Sequence, residues 1–169
     1  QKLNEEQVAD TAASDEEAVL ENKIAEYDAF LTKQDPAFTV EELEEAMQKV
    51  MDQYAGGIGT HYQFNEKQLA MAEEKIKKLQ ILAKGLAAAD MHELMFIYEL
   101  KERLTVCLTV IAHLRARKET RWHSFAENLD YPEKSDAWLC YVNSKKNGDQ
   151  ITMIRRDLVK GGETYEHRD

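Results

Sequence analysis

A chain of 169 residues with a formal net charge of −10 is long enough for one compact domain with a buried core and one appended element. The acidity is uneven: residues 1–60 hold 15 acidic and 4 basic side chains, and residues 61–169 hold 17 and 18. This balance argues against nucleic acid and anionic membranes as partners, and the longest mostly apolar stretch, Leu104 to Leu114, is too short to span a bilayer.

The two cysteines, Cys107 and Cys140, lie 33 positions apart without a C-x-x-C pair. They read as buried thiols in a reducing cytoplasm, the expected location, and suggest neither a disulfide framework nor a metal site. The chain opens at Gln1 with no secretion signal, which is the expectation for a segment of something longer.

In chain order, residues 1–13 are polar and alanine-rich and are expected to form a flexible segment, with a helix firm only after Ser14 as N-cap. Leu20, Ile24, Tyr27 and Leu31 then form one apolar stripe, and Asp35-Pro36 stops the helix. Thr39 and Glu42 form a capping box for a second helix whose inner face is Val40, Leu43, Met47, Val50 and Tyr54. Gly56, Gly57 and Gly59 end it.

Asn65 and Gln68 open a third helix with the stripe Leu69, Ala72, Ile76, Leu79, Leu82 and Leu86. Asp90 and Glu93 begin a fourth, running to about Lys118 and apolar nearly all round between Leu104 and Leu114, as suits the centre of a bundle. Tyr131-Pro132 breaks the chain. Trp138–Val142 and Ile151–Ile154 are β-prone runs around Asn147-Gly148, a turn pair, and predict a hairpin over about 137–157. The expected fold is mainly α: an antiparallel bundle of about four helices over 14–159 with a small C-terminal β-hairpin, followed by a loose tail at 160–169.

The motifs that could carry chemistry are weak. Gly56-Gly57-Ile58-Gly59 lacks both G-x-G-x-x-G and the P-loop lysine and follows a helix, so it reads as a helix end and bend, with close backbone approach to a ligand or another domain as the alternative. His92-Glu93 begins an H-E-x-x-H motif, but Phe96 stands where the second histidine is required, and Glu93 is better explained as a capping partner of Asp90. His113 fits a hydrogen-bonded core histidine, and His61 lies in the loop after the glycines. Neither has a second ligand at useful spacing. No catalytic, cofactor-binding or metal-ligating residue is therefore assigned.

Arg115, Arg117, Lys118 and Arg121 with His123 concentrate positive charge at the end of the fourth helix beside Trp122. One reading is a favourable interaction with the helix dipole on a solvated face. The other is a docking or anion contact made by Arg115, Arg117, Arg121, Trp122 and His123, with Trp122 as the anchor that a partner buries and Arg121 as a bidentate donor.

Glu119-Thr-Arg-Trp, then Asp130-Tyr-Pro, then Trp138-Leu-Cys-Tyr-Val-Asn-Ser144 together resemble the C-terminal region of the flavoprotein (alpha) subunit of adenylylsulfate reductases. That family belongs to the wider fumarate reductase and succinate dehydrogenase flavoprotein superfamily. Met51-Asp-Gln-Tyr-Ala-Gly-Gly, Asn65-Glu66 and Asp90-Met-His-Glu-Leu extend the likeness over roughly residues 45–159. Asn128 departs from the pattern, standing where relatives commonly carry an arginine.

The resemblance implies a helical scaffold and docking domain of an FAD-dependent oxidoreductase of dissimilatory sulfur metabolism. It further implies FAD in the parent protein rather than in this chain, upstream FAD-binding and capping domains as partners, and electron transfer with an iron-sulfur beta subunit that carries the clusters. The isolated chain is then expected to be inactive. The alternative is a free-standing helical interaction module without catalytic activity.

Overall fold

The computed structural model describes the backbone of residues 2–148 and 150–159, and side chains from residue 16 onward within those limits. Four helices and a C-terminal antiparallel hairpin make the chain mainly α, as expected. The predicted loose tail at 160–169 lies outside the described residues, as do the side chains of the predicted flexible segment at 1–13.

Helix α1 spans Lys2–Leu31, so Ser14 lies inside it and not at its start. Four alanines and several glutamates between Lys2 and Asn22, with no glycine or proline, favour helix over the whole stretch. Its predicted stripe is only half used: Tyr27 and Leu31 pack on the core, whereas Leu20 and Ile24 are exposed. The helix ends before Asp35, which takes a left-handed φ of 50° ahead of Pro36.

Helix α2, Val40–Tyr54, starts with the predicted capping box: Thr39 Oγ1 accepts from the Glu42 amide at 3.2 Å, and the Glu42 carboxylate accepts from the Thr39 amide at 2.9 Å. Leu43 and Met47 point into the core. Helix α3, Glu66–Ala83, is capped by Asn65, whose side chain accepts from the Gln68 amide at 2.9 Å, and it buries Leu69, Ala72, Ile76, Leu79 and Ala83. Leu86 is buried too, but it lies beyond the helix end.

Helix α4, Met91–Ala116, packs against α2 and α3 through Leu94, Ile97, Leu100, Leu104 and Ile111. Asp90 Oδ1 accepts from the His92 and Glu93 amides at 2.9 Å, and the Glu93 carboxylate reaches back to the Ala89 amide, one residue before the cap. The expectation of burial all round the helix is not met, because Val106 and Val110 face outward. α4 meets α1, α2, α3 and the hairpin, yet Val106 and Val110 stay open to solvent.

Strands β1, Gln63–Phe64, and β2, Glu127–Asn128, form a two-residue parallel pair that joins the loop after α2 to the segment after α4. Strands β3, Cys140–Asn147, and β4, Gln150–Asp157, form the hairpin, with Asn147 opposite Gln150. Gly148 follows β3 with φ +59°, the left-handed backbone that the predicted turn glycine supplies. The hairpin packs on α4.

Candidate functional site

The chain leaving α4 builds a polar centre on Glu119. Arg117 caps the helix with an extended backbone, and this turns Glu119 and Thr120 inward, where both are buried. A carboxylate at such a site must have its charge and lone pairs met. Arg121 does this in bidentate form, Nε to Oε1 at 2.9 Å and Nη2 to Oε2 at 2.8 Å. Arg117 adds a bond to Oε1 at 2.6 Å, and the Ser135 amide donates to Oε2 at 2.9 Å. Burial by itself pushes the Glu119 carboxyl up, but the bonds from Arg121, Ser135 and Arg117 outweigh it and hold the group down to about 2.

The same arginines reach outward from Glu119 into the loop and the hairpin. Arg117 donates to the Trp138 carbonyl at 3.0 Å and to the Cys140 carbonyl at 3.2 Å, and Arg121 donates to the Ser135 carbonyl at 3.1 Å. The Arg155 guanidinium from β4 lies 4.3 Å from the Trp138 ring centre. Thr120 Oγ1 accepts from the Asn128 amide at 2.9 Å and lies 2.9 Å from the Tyr131 carbonyl, to which it can donate.

Asn128 is buried, and its Oδ1 accepts from the Asp130 amide at 3.0 Å. The Asp130 carboxylate in turn accepts from the Glu66 amide at 2.7 Å, in the first turn of α3. The Asp130-Tyr-Pro motif therefore serves a helix N-terminus from 64 residues away, where a negative charge meets free amides and the positive end of the dipole.

Above this polar centre the loops expose aromatic and aliphatic side chains. Trp122 is 68% exposed and Phe125 72%, while Leu129, Tyr131 and Tyr62 are also open to solvent. Tyr62 and Phe125 meet with ring centres 6.5 Å apart, across the β1–β2 pair. Several large apolar side chains exposed together on one loop cluster are the signature of an interaction surface.

The five residues of the sequence-predicted contact do not form one surface. Arg115 turns away to α3, with ion pairs to Glu66 at 2.7 Å and to Glu73. Arg117 and Arg121 are engaged by Glu119, and a guanidinium fork already filled by a carboxylate has little left for an external anion. Trp122 and His123 remain exposed, with His123 Nδ1 3.4 Å from Glu127. Sequence reading missed Glu119 as the receptor of both arginines; the available signal was an acidic residue two positions from each in Arg117-Lys-Glu-Thr-Arg121.

The glycine bend and the isolated histidines offer no ligand site. The Gly59 amide donates to Asp52 Oδ1 at 2.9 Å, and a Cβ on Gly57 would sit 2.3 Å from the Asp52 Cα. The close approach that the glycines permit is thus to Asp52 of the same chain. With the Asp52 carboxylate already on the Gly59 amide, the bend does not fit a flavin pyrophosphate. His92 lies edge-on to Phe96 at 4.8 Å, and His113 is only half-buried on α4, so it is not the core histidine expected. Among the described residues no group of three or more His, Cys, Asp or Glu is placed to hold a metal, and no helix is long and apolar enough to cross a membrane. Cys107 and Cys140 are free thiols, both only partly buried, and burial pushes the Cys107 thiol up.

Residues 44–163 match the family model described as fumarate reductase flavoprotein C-term, and the chain belongs to that family. Within it the likeness is to adenylylsulfate reductases. The alpha subunit of adenylylsulfate reductase from Megalodesulfovibrio gigas is 34% identical over 98 residues, 57% of this chain and 15% of that subunit.

The solved adenylylsulfate reductase of the hyperthermophilic Archaeoglobus fulgidus superposes with a TM-score of 0.79 at 31% identity, covering 89% of this chain and 26% of that one. An adenosine-5-phosphosulfate reductase in complex with sulfite matches at 0.71 and 37%, over 76% of this chain and 21% of that chain. E. coli quinol fumarate reductase, at 19% identity and a TM-score of 0.69, shares the fold. The chain spans about a seventh to a quarter of these relatives.

Proposed function

We propose that this chain is the C-terminal scaffold and docking domain of an FAD-dependent oxidoreductase of the adenylylsulfate reductase type. In this reading flavin chemistry takes place in upstream FAD-binding and capping domains, and electrons are exchanged with an iron-sulfur subunit. The observation that carries the reading is the exposed, largely aromatic set of Tyr62, Trp122, Phe125, Leu129 and Tyr131 on the loops that adjoin the buried Glu119 joint. Membership of the family and the small share of each relative that the chain covers support it.

Glu119, Arg117 and Arg121 are positioning residues here. They fix the loop that presents Trp122, while Trp122 and His123 are the members of the sequence-predicted set left open to a partner. The test is coexpression in trans with the flavin-binding part of the same subunit, truncated before this domain. The two parts are expected to copurify with flavin bound to the upstream part, and Trp122→Ala with Phe125→Ala is expected to weaken the association roughly a hundredfold, the effect of losing one strong aromatic anchor. Failure to copurify, or flavin retained by this chain alone, rejects the proposal.

A further inference from the structure

Among the described residues three other than glycine take a left-handed φ: Asp35, His61 and Tyr62. Aspartate and histidine are enriched in that region, whereas a bulky side chain there strains the backbone. Tyr62 sits at φ +64°, directly after His61 at +54°. The same loop uses glycine for its first left-handed step, Gly56 at φ +75°. Glycine or asparagine at position 62 would make the same bend with less strain.

The surroundings over-determine the bend, which is how such strain persists. The Tyr62 amide donates to the Gly57 carbonyl at 3.0 Å, and the same oxygen accepts from the Thr60 amide at 3.2 Å and from Thr60 Oγ1 at 3.0 Å. The Gly59 amide is tied to Asp52. On its other side the Tyr62 carbonyl accepts from the Glu127 amide at 2.9 Å, alongside the β1–β2 pair. Tyr62 enters these contacts through its backbone, and none of them needs a phenol ring.

The ring is 38% exposed and is not among the side chains packed on the core. It lies instead against Phe125, on the face that also exposes Trp122, Leu129 and Tyr131. Strain at a bulky residue that adds little to the core points to a use for its side chain at the surface. We propose that Tyr62 is a contact residue for the upstream part of the same subunit, and that the left-handed bend serves to stand its ring beside Phe125 on the docking face. Resting on the docking role proposed above, this contact takes the upstream part as its occupant because the chain spans only 15% to 26% of its adenylylsulfate reductase relatives.

The test is hydrogen exchange, read by mass spectrometry, on the full-length flavin-bound subunit. Trp122→Ala with Phe125→Ala first marks the upstream peptides that the docking face covers, as those that lose protection. Tyr62→Asn accepts the left-handed backbone but removes the ring. It is expected to make the marked peptides exchange roughly tenfold faster, the scale of one interface aromatic, while the Ile76, Leu100 and Glu127 amides stay as protected as in the wild type. Tyr62→Phe, which keeps the ring, is expected to leave the marked peptides near wild type. A Glu127 amide that loses protection in Tyr62→Asn makes the ring a support of the β1–β2 pair and overturns the proposal. Marked peptides that ignore Tyr62→Asn overturn it as well, with the docking role left standing. If no upstream peptide responds even to Trp122→Ala with Phe125→Ala, the docking role itself falls, and this contact with it.

Discussion

At the scale of single residues the molecule depends on Glu119 more than on any of the cations that drew notice in the sequence. It is a buried carboxylate receiving four hydrogen bonds from Arg117, Arg121 and Ser135. Glu119→Gln keeps the shape but removes the charge and turns one acceptor into a donor facing guanidinium groups. The expected loss is about 3 kcal/mol, the scale for breaking a buried pair, read as a lowered midpoint in urea denaturation.

Acid acts on the same carboxylate and on Glu26. The Glu26 carboxyl is held down to about 2, first by Lys101 and then by Lys23, and the Glu119 carboxyl is also at about 2. Both fold with values below the ordinary 4.5, so their contribution to stability is complete above about pH 4.5 and is lost as the pH falls from there toward 2. Denaturation midpoints measured between pH 7 and pH 3 are expected to be level at first and then fall. In Glu119→Gln the fall is expected to be shallower.

At the scale of elements, what was legible in the sequence was whatever is decided locally. Thr39, Asn65 and Asp90 cap as their spacing requires, because a cap and its target amides lie within three residues of each other. The hairpin was readable from two β-prone runs and a turn glycine. What long-range contacts decide was not readable. The outward side of α4, the uncovered half of the α1 stripe and the β1–β2 pair all depend on neighbours far away in sequence.

The candidate site divides in the same way. The basic cluster was visible as a run, but its partition among Glu66, Glu73 and Glu119 was not, because two of those acceptors belong to α3. Asp130 is the clearest case of an element served from a distance. Asp130→Ala is expected to cost about 1 kcal/mol, the usual worth of an N-terminal acceptor, with lost protection of the Glu66 amide in hydrogen exchange. An unchanged exchange rate at Glu66 would remove the capping role.

At the scale of the whole molecule, the bundle and the 117–139 segment are two bodies with different sources of stability. The bundle rests on a contiguous apolar core from Leu43 to Ile111, which is why it tolerates an α1 that is only partly packed. The segment has little apolar burial of its own and is held by polar contacts that converge on Glu119, Thr120 and Asn128. An aromatic surface presented by such a segment keeps its geometry only while those contacts hold. Surface and support should therefore fail together, with W122A and F125A changing docking and Glu119→Gln changing both docking and fold.

The β1–β2 pair gives that division a time axis. Its two strands are separated by 64 positions in register, Gln63 to Glu127, so the pairing must close a loop containing all of α3 and α4. The entropy of that closure is recovered only after the two helices have packed and brought the ends together. The Glu127 and Leu129 amides, bonded to the Tyr62 and Phe64 carbonyls at 2.9 and 2.8 Å, are therefore expected to be protected late in refolding. In the native state they are expected to exchange through an opening that leaves Ile76 and Leu100 closed. Pulsed hydrogen exchange would show the aromatic face assembling as the final event of folding, so that a nascent chain offers no docking surface until its bundle is complete.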